Sequence, residues 1–326
     1  MAQIKNPYLA LFSLYFSSLP LQNLQASMMY DFEEIQIEDS SVTRVYGLNN
    51  KGDLAGTYRD GNISRSFVYS DGKTEIFDAP NSNATAVYDV SDDGSKVGYF
   101  SSDQNGTQGF LSSNDSFSSF SIDGFTTTNL YGFSENGNLV GAVAQDSYNA
   151  FYSFNGVNNI LNVDGISSSA AFGVNDSGLV VGEAKNDEGW HGFLWQGDSF
   201  TLLDVPGASK TLAYGVNNHG IVVGSYEMYN QTFGYLFDGL DYHTISLPGS
   251  TFTSLWDIND HGQIAGWYEQ DDMKYGFVSK NAVPVSEPSI LALFLLSFFV
   301  ILYIRNSHTN FSFHPAKLER RKPYSR

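Results

Sequence analysis

The stretch Tyr214-Gly-Val-Asn-Asn-His-Gly-Ile-Val-Val-Gly-Ser-Tyr226 recurs, with substitutions, six times along the chain. Its two glycines fall at Gly52/Gly56, Gly94/Gly98, Gly137/Gly141, Gly178/Gly182, Gly220/Gly224 and Gly262/Gly266. The first glycines are therefore 42, 43, 41, 42 and 42 residues apart. An aromatic landmark keeps the same beat: Phe67, Phe110, Phe151, Phe193, Tyr235 and Phe277. Two landmarks in phase define a repeat, and a period of about 20–50 residues marks a solenoid, a propeller or an array.

Each unit reads as β-structure. In the fifth, 213–216 is a short strand and Asn217-Asn218-His219-Gly220 is a turn. All six turns begin with Asn or Ser and end with Gly, which suits a type I turn with the glycine at positive φ. Residues 221–226 form a second strand, with Gly224 placed where backbones crowd. A third strand covers 234–237 and a fourth 242–247, whose Ile245/Leu247 alternation marks a half-buried strand. Four short strands in about 42 residues match the length of a propeller blade.

The ends of the repeat region set the topology. Fourth strands carry Phe77/Ala79, Phe120/Ile122, Leu161/Val163, Leu203/Val205 and Ile245/Leu247, but the sixth position falls on Pro284-Val-Ser-Glu-Pro-Ser289, which cannot form one. Phe32-Glu-Glu-Ile-Gln-Ile37 has the missing register: Phe32 precedes Gly47 by fifteen residues, as Phe200 precedes Gly215. The expected fold is all-β, a six-bladed β-propeller closed by the N-terminal strand, which removes the open edge.

Of the 326 residues, 42% are hydrophobic, and none is cysteine, so disulfides and thiolate chemistry are excluded. The formal net charge of −18 conceals a more acidic centre. Residues 27–285 hold 10 Lys/Arg against 33 Asp/Glu, net −23. Such a surface repels nucleic acid and anionic lipid.

Residues 1–26 read as a secretory signal peptide, with Lys5 before an apolar run and Ala26 at the cleavage point. Residues 27–282 form the repeat domain. Residues 283–305 pair a Pro-rich start with fifteen residues, 290–304, that are apolar except for Ser297, followed by Arg305. These are read as a C-terminal transmembrane helix, with the basic tail 306–326 on the cytoplasmic side and the repeats outside.

Two resemblances follow from these residues. Val283-Pro284, Glu287-Pro288-Ser289, the apolar 290–304 and Arg305 resemble the PEP-CTERM sorting signal of Gram-negative bacteria. That resemblance implies recognition by a membrane sorting enzyme, an exosortase. His191-Gly-Phe-Leu-Trp195, Leu203-Asp-Val-Pro-Gly207 and Tyr214-Gly-Val-Asn217 through Val223-Gly224 are similar to the HAF-type repeats of bacterial extracellular proteins. That resemblance implies location more than chemistry, since no catalytic activity is generally attached to such repeats.

Hydrolytic chemistry needs a nucleophile, a base and an orienting acid in one place, and no G-x-S-x-G occurs. His219 and His261 share a turn position and read as exposed turn residues. His191 precedes a core strand and reads as a satisfied structural histidine. No calcium-loop pattern and no other metal set is present, and no cofactor is expected. A carboxylate pair for glycoside cleavage could come from loops of adjacent repeats, with Glu227, Glu269, Asp271 and Asp272 the first candidates. Tyr58, Phe100, Tyr226 and Tyr268 are candidates for a sugar-binding ring, or else for inter-blade core. Two carboxylates with one basic residue at the mouth of the ring would mark an enzyme; Tyr, Asn and Ser alone would mark binding.

The resulting expectation is an exported, surface- or envelope-associated, non-catalytic protein. It would have a binding or structural role in the extracellular matrix, with exopolysaccharide or another glycan as partner. The alternative is a propeller-type glycan hydrolase or lyase.

Overall fold

The computed structural model describes residues 31–103, 106–113 and 116–280, which hold 24 strands and no helix. The signal peptide with Ala26, the sorting motif from Val283 to Arg305 and the tail lie outside the described residues. Among the described residues, no helix is long and apolar enough to cross a membrane.

Each repeat builds a four-stranded antiparallel sheet. In repeat 5, Lys210–Val216, Val222–Met228, Gln231–Phe237 and Tyr242–Ile245 pair in sequence order. In repeat 6, Phe252–Ile258, Ile264–Gln270 and Met273–Ser279 supply three strands. Their outer edge is taken by Phe32–Ile35, antiparallel, with Phe32 opposite Ser279 and Ile35 opposite Gly276. This strand stops two residues short of the expected Ile37. The Ile37 N–H donates instead to Thr43 Oγ1 at 3.1 Å. The same hydroxyl device ends other fourth strands: Ala79 N–H reaches Thr85 Oγ1 at 2.9 Å, and Val205 N–H reaches Thr211 Oγ1 at 3.0 Å. The second residue of the alternating pair then lies just past the strand, and Ala79, Val205 and Leu247 remain buried there.

In every repeat the register between first and second strands slips by one. The extra residue is Tyr46, Tyr88, Tyr131, Phe172, Tyr214 or Trp256. A bulge leaves one residue unpaired, bends the strand and re-aims a side chain. It also explains the second glycine of the motif. A Cβ on Gly224 would lie 2.0 Å from the Leu212 carbonyl oxygen and 2.7 Å from the Tyr235 ring. The turn glycine is the opposite case: Gly220 has open space around it and a φ of 77°, which a side chain strains.

Phe67, Phe110, Phe151, Phe193, Tyr235 and Phe277 are fully buried, each beneath the second glycine of its own repeat. Burying each such side chain stabilises the fold by about 1.5–3 kcal/mol. The cores lie between consecutive sheets. A Cβ on Gly234 would meet Leu255 at 2.7 Å, packing sheet 5 on sheet 6, and a Cβ on Gly276 would meet Val45 at 2.8 Å, packing sheet 6 on sheet 1.

Candidate functional site

The six bulged aromatics meet. Ring centroids are 4.6 Å apart for Tyr46–Tyr88, 4.9 Å for Tyr88–Tyr131, 4.8 Å for Tyr131–Phe172, 5.2 Å for Phe172–Tyr214, 4.1 Å for Tyr214–Trp256 and 4.6 Å for Trp256–Tyr46. These contacts run full circle at favourable aromatic spacings. Trp256 also reaches across to Tyr88 at 6.0 Å and Phe172 at 5.7 Å, so the rings fill the middle of the circle.

On the side of the Asn/Ser-Gly turns, the circle is the floor of a cavity of about 100 Å³. Its rim is a relay of turn amides and side-chain oxygens. Asn50 N donates to Asp92 Oδ1, Asp92 N to Glu135 Oε1, Asp176 N to Asn218 Oδ1, Asn218 N to Asp260 Oδ1 and Asp260 N to Asn50 Oδ1, at 2.8–2.9 Å. Asn136 N donates to Asp176 Oδ1 at 3.1 Å. Beneath it, Asn175, Asn217 and Asn259 each donate from Nδ2 to the carbonyl of the next turn: Asn217, Asn259 and Asn49.

In four repeats the residue after the bulged aromatic is glycine, and there is no room for more. A Cβ on Gly47 would lie 2.7 Å from Asp89 Cα, and one on Gly215 would lie 2.8 Å from Asp257 Cα. Repeats 2 and 6 carry Asp89 and Asp257 instead. Asp89 accepts from Val90 N at 2.8 Å and from Phe133 N, in the next repeat, at 3.2 Å. Asp257 accepts from Ile258 N at 2.8 Å and from Leu48 N, in repeat 1, at 2.7 Å. Burial pushes both carboxyls well above the usual range, and the Asp257 charge adds to the effect on Asp89; the N–H donors act the other way. Asp89, Asp257 and the acids of the rim line the cavity without any lysine or arginine, so neither mouth composition expected from the sequence is met.

Beyond the far face of the circle, burial pushes the Glu183 carboxyl up to about 6, with Lys210 pulling it down. Burial likewise raises Tyr131 and Tyr214, and the charge of Glu183 adds to both. Buried Asn129 Oδ1 and Trp267 Nε1 have no hydrogen-bond partner there.

The residues singled out in the sequence lie elsewhere. Phe100, Tyr226 and Tyr268 are buried in separate cores between sheets, joined by half-buried Tyr58 at a fourth. They do not meet as a ring. Glu227 pairs with Lys210 at 3.5 Å and Glu269 with Lys274, each within its own repeat. Asp271 and Asp272 form an exposed turn tip with φ of 52° and 64°. His219 and His261 are exposed. His191 lies between Asp204 Oδ1 at 2.7 Å and Asn186 Oδ1 at 2.9 Å, a satisfied side chain. Among the described residues no group of three His, Cys, Asp or Glu could hold a metal ion. The signal that could have found the central site is a column in the same 41–43-residue beat: an aromatic directly before Gly47, Gly132, Gly173 and Gly215, with Asp89 and Asp257 in the place of that glycine in repeats 2 and 6.

No protein-family model and no curated protein matches the chain. Solved structures do. One from Agrobacterium tumefaciens, provisionally assigned as TolB, is 11% identical with a TM-score of 0.53, covering 75% of this chain and 91% of its own. The β-propeller domain of the Trilobed protease from Pyrococcus furiosus is 10% identical with a TM-score of 0.45, covering 76% and 100%. A virginiamycin B lyase from Staphylococcus aureus is 11% identical with a TM-score of 0.47, covering 77% and 99%. The fold is of the β-propeller kind. At these identities the likeness concerns the fold alone.

Proposed function

We propose that the chain is a closed six-bladed β-propeller that is exported and serves a non-catalytic binding or structural role in the extracellular matrix. Several features support the ring. The aromatic contacts return to their start, the turn relay crosses from Asp260 to Asn50, and Phe32–Ile35 supplies the fourth strand of repeat 6. The single observation that carries the non-catalytic reading is the central cavity. At about 100 Å³ it lies well below the roughly 300–1,000 Å³ of ordinary ligand sites. Both of its deep carboxylates are also engaged by backbone N–H groups, so they act as ties between blades. Export rests on the apolar run before Ala26. Surface sorting rests on Val283-Pro284, Glu287-Pro288-Ser289 and Arg305, with an exosortase-like enzyme as partner and 290–304 holding the membrane. The glycan partner is exopolysaccharide or a related polymer, and the acidic surface disfavours nucleic acid.

Two measurements test this reading. Cells expressing the full chain are fractionated, and the repeat domain should reach the envelope or the medium; cytoplasmic protein refutes export. The full chain is then incubated with polysaccharides and assayed for new reducing or unsaturated ends. None is expected, and cleavage abolished by Glu183→Gln would establish the glycan hydrolase or lyase alternative.

A further inference from the structure

Two clefts on the outside of the molecule occupy equivalent places in repeats 2 and 4. One, of about 580 Å³, is lined by Pro80, Asn81, Asp103, Phe117 and Ser119 among others. The other, of about 410 Å³, is lined by Asp164, Gly165, Asp187, Phe200 and Leu202 among others. These five pairs stand 84, 84, 84, 83 and 83 residues apart, so they are the same structural positions two repeats on. Both volumes fall within the range of about 300–1,000 Å³ typical of ligand sites.

The chemistry of the two clefts matches. Phe117 stacks on the core ring of Phe110 at 5.4 Å, and Phe200 stacks on Phe193 at 5.2 Å. Each phenyl is thus held on the core side and is part of the cleft wall on the other. An exposed aspartate stands at each lip, Asp103 and Asp187. Asp103 is fixed by the Asn83 side-chain amide at 2.6 Å. Beside Asp187, Asn186 is fixed by the clamped ring of His191. Repeats 1 and 3 have Thr74 and Asn158 where the phenylalanine stands, so the aromatic wall is missing from the repeat between the two clefts; repeats 5 and 6 carry Tyr242 and Phe32 at that position.

We infer that these are two equivalent saccharide-binding sites, each stacking one pyranose on Phe117 or Phe200 and holding its hydroxyls with Asp103 or Asp187. The ligand is a neutral polysaccharide. Carboxylate and amide lips accept from and donate to vicinal hydroxyls, and no lysine or arginine lines either cleft. A uronic-acid polymer would meet like charge at Asp103, Asp164, Asp187 and Glu188 within an already acidic domain. Two sites on one rigid body act together on a polymer, where avidity exceeds single-site affinity by roughly 10²–10⁴-fold. This inference rests on the binding role proposed above.

The test uses the full chain against neutral oligosaccharides of gluco, galacto and manno configuration, their uronic-acid counterparts, and the matching polymers. Calorimetry should show two sites per chain for one neutral oligosaccharide. Asp103→Asn and Asp187→Asn lie on exposed loops and should leave the melting temperature unchanged. Each should remove one site and weaken polymer binding by about 10²-fold, and together they should abolish it. Phe117→Ala and Phe200→Ala should do the same to binding, judged against their own melting temperatures. Saccharide binding that survives the double aspartate variant overturns the two clefts and leaves a binding role intact. Stronger binding of the uronic series overturns the ligand class. Absence of saccharide binding overturns this inference, while the fractionation above still decides export.

Discussion

The junction between repeats 5 and 6 and the seam between repeats 6 and 1 use the same contacts with different continuity. At the first, the chain runs unbroken from Tyr242–Ile245 into Phe252–Ile258. At the second, the fourth strand of sheet 6, Phe32–Ile35, likewise runs on into Thr43–Leu48, and the break falls inside sheet 6, where Phe32–Ile35 joins Met273–Ser279 by pairing and not by a turn. Otherwise the two correspond: Gly234 packs on Leu255 as Gly276 packs on Val45, and Asn217 reaches the Asn259 carbonyl as Asn259 reaches that of Asn49. Most polar ties correspond too. Tyr268 Oη donates to Glu34 Oε2 at 2.6 Å where Tyr226 Oη and Thr244 Oγ1 lie 2.8 Å apart, and Lys280 N donates to the Asp31 carbonyl at 2.9 Å where Asp238 N donates to that of Asp241 at 3.3 Å. The seam adds the bond from Leu48 N to Asp257, which Gly215 cannot make at the internal junction.

The largest expected effect breaks the seam. Ile35 is buried in the core between sheets 6 and 1, so Ile35→Asp places an unpaired charge there and should cost several kcal/mol. The equivalent internal change, Ile245→Asp, should cost a similar amount if the seam is as cooperative as a continuous junction. Thermal melts of both variants decide this: a seam variant that melts like wild type would show that Phe32–Ile35 frays without consequence. Next, Gly224→Ala drives a methyl into the Leu212 carbonyl within one sheet. It should cost about 1–3 kcal/mol wherever the blade stands relative to the seam, and Gly266→Ala in the seam blade should match it in denaturant titrations.

The aspartate pair gives a pH dependence. A carboxyl with a raised folded pKa binds its proton more tightly folded than unfolded. Its penalty is absent below the unfolded value near 4, grows as pH rises and is complete above the folded value. Stability contributed through Asp89 and Asp257 should therefore fall between about pH 4 and neutrality. The double variant Asp89→Asn/Asp257→Asn should flatten that part of the profile of melting temperature against pH. A profile as steep as that of wild type would assign the dependence to other groups. The smallest effect is Tyr268→Phe, which removes one seam hydrogen bond to an exposed glutamate and should cost about 1 kcal/mol, measured by chemical denaturation.

The repeat, the turn glycines and the pairing of Phe32 with the sixth sheet were legible because each leaves a periodic or positional trace. The central site was not. Tyr214 alternates with its neighbours like any strand residue, and nothing local announces the bulge at each first strand that carries the aromatic into the circle. Tyr226 misled for a related reason. It stands two residues after Gly224 and so shares its face of the strand, the face covered by Tyr235. The informative trace was the substitution of Asp89 and Asp257 for a glycine that the other four repeats keep.

The pairing of Phe32 with Ser279 joins residues 247 positions apart. During synthesis at about 5–20 residues per second, the first strand emerges roughly 12–50 s before the strand it must join. Through that interval it has hydrogen-bonding edges on both sides and no partner of its own. Its brevity and its two central glutamates, Glu33 and Glu34, are the features that keep such an edge from pairing with another chain. The opening residues of the domain thus wait for its last, and a nascent chain stalled before Met273 would present a row of sheets whose final edge has nothing to receive.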